Sequence, residues 1–294
     1  MPVPHSPTSH YVDISGLRLH HLDWGGAGQP PIVLLHGIRL HAHCWSDFAR
    51  RFCGAFHILA LDARGHGDSG WSEAGDYHMH TYYEDLCAVM DARELQQVVL
   101  IGHSLGARTS MLYTHLHPER VSRLVLVDMG AGLPKPIDRK DFSRITETPP
   151  PQDFGSHEEA ADYLAAILKQ APREMIDESV EQGMRRREDG RYVWKYDPRL
   201  GGPPQPIPGK REWDLWEAVK TITCPTLLLR GEHSRVVTPE IAERMSAEMS
   251  DCRQEVIANA GHALFTDQPE SFARNVGEFL EPGVAAGASP VRQP

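Results

Sequence analysis

Short apolar runs alternate with longer, helix-length segments along most of the chain. The runs are mostly leucine or β-branched residues, and each is followed by a polar residue or glycine; they lie at residues 32–35, 58–61, 98–101, 124–127 and 226–229. Runs that are apolar at nearly every position are typical of parallel strands in a sheet covered on both faces. Segments 81–92 and 105–117 have the length of helices. The alternation therefore predicts βαβ units and an α/β fold.

Two parts of the chain depart from this alternation. Near the start, segments 11–14 and 17–24 flank a Ser-Gly pair, which favours the turn of an antiparallel hairpin. After Met129 the alternation stops, and it resumes at Cys224. The stretch between them carries proline clusters and two predicted helices, the first of which begins with a capping pair at Ser156. The simplest explanation is an insertion between two core strands.

These departures predict how the chain is divided. We expect a core formed by residues 1–130 and 214–282, in which ligands bind beyond the carboxyl ends of the strands. Residues 131–213 are predicted to form a lid over those ends. Residues 283–294 are small and polar, and we expect a disordered tail there.

The charge of the chain excludes one class of partner. The formal net charge is -10, and nucleic-acid binding requires clustered lysine and arginine that displace counterions. The nearest candidate is Arg185-Arg186-Arg187, which Glu188 and Asp189 follow at once. This mixture of charges predicts a solvated helix end. We therefore expect no nucleic-acid partner.

Other features limit the cellular context and the cofactors. The five cysteines are odd in number and form no Cys-x-x-Cys pair, so neither a disulfide framework nor a zinc site is expected. No apolar run approaches the roughly 20 residues that span a bilayer, and residues 1–10 do not resemble a signal peptide. No P-loop motif is present. We expect a cytoplasmic protein without a metal, cofactor or membrane partner; the oligomeric state stays open, a homodimer included.

The segment Gly102-His103-Ser104-Leu105-Gly106 follows the run 98–101 and precedes a helical pattern. This strand-turn-helix context is the one that a Gly-x-Ser-x-Gly nucleophile elbow requires. The turn is so tight that side chains at the two glycine positions would collide with neighbouring backbone. Ser104 is therefore the predicted nucleophile, lifted above the sheet at the start of a helix whose dipole favours negative charge.

A serine hydroxyl needs an adjacent base, and His262 is the candidate among 17 histidines. It lies in a loop between an apolar-leaning segment and the last predicted helix, and the order of serine first and histidine last matches enzymes with this elbow. Two backbone N–H groups must also point at the oxyanion of the tetrahedral intermediate. We expect them from Leu105, the residue after the nucleophile, and from Ile38, which follows His36-Gly37 at the end of the first apolar run.

Taken together, four motifs resemble those of the α/β-hydrolase superfamily, in particular its lidded, esterase-like branch. They are His36-Gly37, the segment 62–69 (Asp-Ala-Arg-Gly-His-Gly-Asp-Ser), the elbow at 102–106 and Gly261-His262. The resemblance spans residues 11–280. It implies a mostly parallel eight-stranded sheet with helices on both faces and a helical lid inserted after the sixth strand. In that family segment 62–69 is a structural turn, so its charged residues are left out of the catalytic set.

The third member of the triad is less clear. The family usually supplies an aspartate a few residues after Gly231, but Ser234 or Arg235 stands there, and an arginine cannot stabilise an imidazolium. Asp128 ends the run 124–127, and some family members place the acid after this strand. Glu232 is nearer in sequence to the usual position. We favour Asp128 and keep Glu232, or a Ser-His dyad, as alternatives.

Three functions are compatible with these residues. The favoured hypothesis is a serine hydrolase that cleaves a small-molecule carboxylic ester or lactone through an acyl-enzyme intermediate. A carbon–carbon bond hydrolase or another acyl-transfer enzyme would use the same serine machinery. A ligand-binding receptor or pseudo-enzyme is suggested by the missing acid after Gly231. The sequence does not identify the substrate.

Overall fold

The computed structural model describes residues 6–132, 151–200 and 213–280 of the chain. In these ranges the strands are β1 (Thr8–Ile14), β2 (Leu17–Asp23), β3 (Pro31–Leu35), β4 (His57–Leu61), β5 (Val98–His103), β6 (Val121–Val127), β7 (Met184–Arg186), β8 (Tyr192–Trp194), β9 (Thr226–Gly231) and β10 (Cys252–Ile257). The α-helices there are α1 (Ser46–Phe52), α2 (Met79–Ala92), α3 (Leu105–Leu116), α4 (His157–Ile167), α5 (Arg173–Gly183), α6 (Leu215–Val219), α7 (Pro239–Glu248), α8 (Leu264–Asp267) and α9 (Pro269–Leu280).

Eight of the described strands form one sheet in the order β1-β2-β4-β3-β5-β6-β9-β10. The pairs β1–β2 and β2–β4 are antiparallel, and every other neighbouring pair is parallel. The predicted α/β fold with a mostly parallel eight-stranded sheet is confirmed. Because β4, β3, β5, β6, β9 and β10 run in the same direction, the loops after β3, β5, β6, β9 and β10 meet at one edge of the sheet.

The predicted hairpin at the start of the chain is confirmed. Ile14 pairs with Leu17, and the two turn residues between them, Ser15 and Gly16, have φ angles of 49° and 86°. Positive φ at both central positions is the conformation of a type I′ turn, whose twist matches that of the two strands. This hairpin forms the antiparallel edge of the sheet.

The central strands are covered on both faces, as their continuous apolar sequences predict. In β3, Val33 and Leu35 belong to one hydrophobic cluster, which includes residues from α2, α3, α6 and α7. Ile32 and Leu34 belong to the other, which includes residues from α1, α8 and α9. The period-two alternation of strand side chains thus divides a single run between two cores. No helix within the described ranges is long and apolar enough to cross a membrane.

Residues 151–200 lie between β6 and β9 in the chain and contain α4, α5 and the small sheet β7–β8. The start of α4 follows the predicted capping pair, since the Ser156 hydroxyl accepts a hydrogen bond from the Glu159 N–H at 3.1 Å. The two helices pack on each other around a separate hydrophobic cluster. Its fully buried members are Phe154, Ala160, Ala161, Ile176, Val180 and Met184. The expected interruption of the core pattern therefore folds as a unit with its own small core.

One expectation in this stretch was wrong. Arg185 and Arg186 do not end a helix; they lie in β7, which pairs with β8 in an antiparallel hairpin. The chain turns at Asp189-Gly190, where Gly190 has a φ of 85°. An Asp-Gly pair is a strong hairpin signal, but here the surrounding charges favour the prediction of a solvated helix end.

Segment 151–200 contacts the loops at the carboxyl edge of the core sheet. Tyr196 forms an isolated β-bridge with His66, in the loop after β4. The Arg39 guanidinium, in the loop after β3, donates to the Leu200 carbonyl at 3.3 Å. These contacts are consistent with a lid, but the boundaries 131–213 and the core limits 1–130 and 214–282 stay predictions. Residues 133–150 and 201–212, and the predicted disordered tail at 283–294, lie outside the described residues.

Candidate active site

Ser104 occupies a sharp turn between β5 and α3. Its φ of 51° and ψ of -110° lie in a region that non-glycine residues rarely adopt. Its backbone N–H donates a hydrogen bond to the Val127 carbonyl of the neighbouring strand at 3.2 Å, which helps to hold the turn. Backbone strain of this kind persists only when the surrounding structure enforces it, and it is concentrated at functional sites.

The two elbow glycines make this turn possible. A Cβ atom on Gly102 would lie 2.5 Å from the carbonyl carbon of Gly106. A Cβ atom on Gly106 would lie 2.3 Å from the carbonyl oxygen of Leu35. Both distances are far below van der Waals contact, so the start of α3 can approach β3 only because these side chains are absent.

The loop after β3 lies directly against the elbow. A Cβ atom on Gly37 would be 3.1 Å from the Ser104 Cβ, and the Gly106 N–H donates to the His36 carbonyl at 3.1 Å. Within the described part of the chain, neither the Ile38 N–H nor the Leu105 N–H donates a hydrogen bond. The two amides predicted to bind the oxyanion are therefore on adjoining segments and free of protein acceptors there.

His262 is hydrogen-bonded to Asp128. The His262 Nδ1 atom lies 2.8 Å from the Asp128 Oδ2 atom, and the Asp128 side chain is completely buried. Because a carboxylate only accepts, Nδ1 carries the proton in this bond and Nε2 is left as the acceptor. The imidazole therefore has the tautomer that can take a proton from a serine hydroxyl.

Ser104 and His262 are linked through His103. The His103 Nε2 donates to the His262 carbonyl at 2.9 Å, and the two rings have centroids 4.6 Å apart. Burial, and secondarily His262, lower the pKa of His103, so this ring is neutral. Among the described residues, Ser104 Oγ has no hydrogen bond to the His262 ring. Such bonds are commonly long without substrate and tighten when it binds.

The Asp128 carboxylate has three hydrogen-bond donors. Besides His262, the Gly231 N–H donates to Oδ1 at 2.9 Å, and the Ser234 hydroxyl donates to Oδ2 at 2.7 Å. The same Ser234 oxygen accepts from the N–H groups of Val236 and Val237 at 3.1 and 3.0 Å. Ser234 thus fixes both the carboxylate and its own loop. In the sequence, Ser234 stands only where an acid is missing; the signal for its role is that a serine hydroxyl can donate a hydrogen bond to a carboxylate.

The alternative acid, Glu232, lies elsewhere. Its side chain is exposed, and its Oε2 accepts from the Asn259 backbone N–H at 2.8 Å. It therefore supports the backbone of the loop that carries His262 and makes no contact with the ring among the described residues. A carboxylate that the sequence did not single out, Asp267, accepts from the Gly261 N–H at 2.8 Å; burial, and the nearby Asp128, raise its pKa.

His20, Asp62 and Asp68 bring metal-ligand atoms within 4.8 Å of one another. These atoms already have partners. The His20 Nδ1 lies 2.7 Å from Asp62 Oδ2, the Asp68 and Ala42 N–H groups donate to Asp62, and Asp68 pairs with Lys195. This arrangement fits the structural turn expected for segment 62–69.

Comparisons with known proteins match most of the chain. A family model described as "Alpha/beta hydrolase family" matches residues 32–275. The esterase Rv0045c of Mycobacterium tuberculosis is 27% identical over 288 residues, which cover 95% of this chain and 90% of that protein. The 2-(acetamidomethylene)succinate hydrolase of Mesorhizobium japonicum is 26% identical over 273 residues, covering 93% and 95%. A crystal structure of E-2-(acetamidomethylene)succinate hydrolase has a TM-score of 0.82 and 25% identity, covering 94% and 99%.

We predict that Gly106→Ala lowers the free energy of unfolding by about 3 kcal/mol, because the new methyl group would overlap the Leu35 carbonyl. Gly54→Ala is the control, since a Cβ atom there meets nothing within 4 Å. Urea unfolding measures both variants. Equal stability of the two would contradict the close approach of α3 to β3.

We predict that Ser234→Ala lowers the free energy of unfolding by about 2 kcal/mol, because it removes a hydrogen bond to a buried carboxylate and the acceptor for two backbone amides. Ser246→Ala serves as the control, since the Ser246 hydroxyl makes only a 3.8 Å contact with the Cys252 sulfur. Thermal unfolding should separate the two variants. A Ser234→Ala protein as stable as the control would rule out this role for the hydroxyl.

Proposed function

We propose, on the basis that this chain belongs to the alpha/beta hydrolase family, that it is a serine hydrolase acting on a carboxylic ester or lactone. Ser104 is the nucleophile, His262 the general base and Asp128 the acid of the triad. The Ile38 and Leu105 N–H groups form the oxyanion hole. The substrate is a small molecule bound at the carboxyl edge of the sheet.

The reaction follows from the positions of these groups. The Ser104 hydroxyl attacks the substrate carbonyl while His262 Nε2 takes its proton, and the buried Asp128 carboxylate stabilises the imidazolium. The two N–H groups bind the oxyanion of the tetrahedral intermediate. His262 then returns the proton to the leaving alcohol, which leaves an acyl-enzyme on Ser104. Water, activated by the same histidine, attacks this ester and releases the acid.

The observation that carries the proposal is the 2.8 Å hydrogen bond between His262 Nδ1 and the buried Asp128. It supports an intact triad despite the missing acid after Gly231, and so it weighs against a receptor or pseudo-enzyme. The strained φ of Ser104 supports the same conclusion, because backbone strain of this kind is concentrated at functional sites.

Two candidate substrates differ in the bond that is hydrolysed. One relative is named an esterase, and this favours an ester substrate. Another is named for hydrolysis of 2-(acetamidomethylene)succinate, and this favours, as a second candidate, hydrolysis of a bond other than an ester. Both candidates require the same serine, histidine and oxyanion groups, so ester turnover is the measurement that separates them.

We predict that a fluorophosphonate probe labels the wild-type protein at neutral pH and that Ser104→Ala abolishes labelling and hydrolysis. Ser110→Ala is the matched control: it removes a buried hydroxyl from the same helix, one without a hydrogen-bond partner in the described structure. Gel fluorescence and mass spectrometry of the labelled peptide check the result. Labelling that persists in Ser104→Ala would exclude Ser104 as the nucleophile.

We predict that Asp128→Asn lowers kcat by about ten-thousandfold, the effect of the equivalent change in a serine protease. The amide would favour the wrong imidazole tautomer and could not stabilise its cation. Glu232→Gln is expected to lower kcat by about threefold or less, since Glu232 contacts backbone only. Steady-state hydrolysis of an aryl ester measures both variants, and the reverse ranking would refute the assignment.

A relocated acid gives a sharper form of this test. Asp128 has a φ of 47°, which glycine tolerates, so Asp128→Gly removes the carboxylate without backbone strain. Ser234 Oγ lies 2.7 Å from the Asp128 oxygen that contacts His262, so a carboxylate at position 234 can reach the same region. Adding Ser234→Asp to Asp128→Gly should restore kcat by at least about tenfold. If the double variant folds but its kcat does not recover, a carboxylate beside His262 is not what catalysis requires.

A further inference from the structure

Arg108 lies one helical turn after the nucleophile and has no part in the proposed triad. It is the fourth residue after Ser104, and its backbone N–H donates to the Ser104 carbonyl at 3.1 Å. Four residues of an α-helix rise about 6 Å, so the Arg108 Cα is close to the site along the axis of α3.

The Arg108 guanidinium is half-buried and carries no compensating charge. Across residues 6–132, 151–200 and 213–280, it has no hydrogen bond, ion pair or aromatic partner. Burial lowers the pKa of Arg108, and no carboxylate opposes that effect. Arg64 shows the contrast: burial also acts to lower its pKa, but its bidentate pair with Asp85 raises it. A guanidinium stays protonated at neutral pH, so Arg108 is an unpaired cation in a partly desolvated position.

The helix directs Arg108 toward the site. Leu105, Arg108 and His115 are partly exposed and share a face of α3, whereas Gly106 and Ala107 are buried. At the carboxyl end of α3, the His115 imidazole lies against Thr221. Side chains on an α-helix lean toward its N-terminus, so the Arg108 side chain leans toward the end of α3 that carries Ser104 and the Leu105 N–H.

Arg39, which adjoins the predicted oxyanion loop, is already engaged. Arg39 follows Ile38, and its guanidinium donates to the Leu200 carbonyl and lies 5.9 Å from the centre of the Tyr196 ring. It therefore holds segment 151–200 against the core. Arg108, by contrast, has no hydrogen-bond partner for its guanidinium among the described residues, so its donors can bind a ligand.

We propose that Arg108 forms a binding subsite for a carboxylate group on the substrate, so that the preferred substrate of the Ser104 site is an anionic acyl compound. The inference rests on the proposed function for the location of the reacting carbonyl. A guanidinium presents two parallel N–H donors that match a carboxylate in a bidentate pair. In a chain of net charge -10, a local cation is also what allows an anionic substrate to approach.

The test compares two substrates that differ only in this group. Mono-4-nitrophenyl esters of succinate, glutarate, adipate and suberate are paired with the same compounds capped as methyl esters at the far carboxylate. The four chain lengths vary the distance between the reacting carbonyl and the far carboxylate, so that one of them can match the distance from Ser104 to Arg108. Release of 4-nitrophenolate gives kcat/KM, with the Ser104→Ala protein as the blank for spontaneous hydrolysis. We expect the wild type to prefer the free carboxylate at one or more lengths.

Arg108→Met should reduce this preference by about 10- to 100-fold, mainly through KM, because it removes a charge-assisted pair. Arg108→Lys should retain part of it, since lysine keeps the charge and loses the bidentate geometry. Arg123→Met is the matched control. Arg123 is also half-buried and has no partner in the described structure, but it lies on β6 five residues before Asp128, and the preference should be unchanged.

Two kinetic results would overturn the proposal: a wild type with no preference at any chain length, or equal losses for free and capped substrates in Arg108→Met. A binding measurement keeps the outcome independent of catalysis. The free dicarboxylates should raise the unfolding temperature of Ser104→Ala, and this shift should disappear when Arg108→Met is added. If no ester is hydrolysed but this shift is present, the proposed function fails and the carboxylate subsite stands. If esters are hydrolysed but neither the shift nor the preference is observed, the proposed function stands and the carboxylate subsite fails.

Discussion

The hydrogen bond between the His262 ring and the buried Asp128 carboxylate is the interaction on which the site depends. It determines which ring nitrogen is protonated, and it therefore determines whether the histidine can act as a base. A completely buried carboxylate is costly unless its oxygens are satisfied. Here the Gly231 N–H and the Ser234 hydroxyl complete the set of donors. The loop after β9 thus stabilises the charge that the histidine requires.

This bond is possible because of the parallel sheet. β5 and β6 are neighbours, as are β6 and β9, so Ser104, Asp128 and Ser234 follow strands that end at the same edge. His262 arrives from beyond β10, the outermost strand, and the His103 ring holds its carbonyl. His103 and His262, which are 159 positions apart in the chain, are thereby brought together. The topology supplies the proximity that the chemistry requires.

In the proposed triad, two tasks are divided between Asp128 and Ser234. Asp128 supplies the negative charge from the strand beside the elbow, whereas Ser234, on the loop after β9, supplies orientation through neutral hydrogen bonds. Glu232 contributes to neither, because it is exposed and bonded to the Asn259 backbone. Arg108, as proposed, would extend the same edge toward an anionic substrate.

The sequence by itself determined the elements with local causes. Continuous apolar runs predicted the buried strands, Ser15-Gly16 predicted the first hairpin, and the glycine spacing around Ser104 predicted the elbow. The Asp189-Gly190 pair also predicts a hairpin, but the neighbouring arginines favoured the prediction of a helix end. Only the tertiary structure decided between Asp128 and Glu232 as the neighbour of His262, gave Ser234 a role and left Arg108 without a partner among the residues that the structure describes. Those properties depend on which strand ends lie next to each other in the folded sheet. The number of residues between two positions in the chain does not determine the distance between side chains that follow different strands.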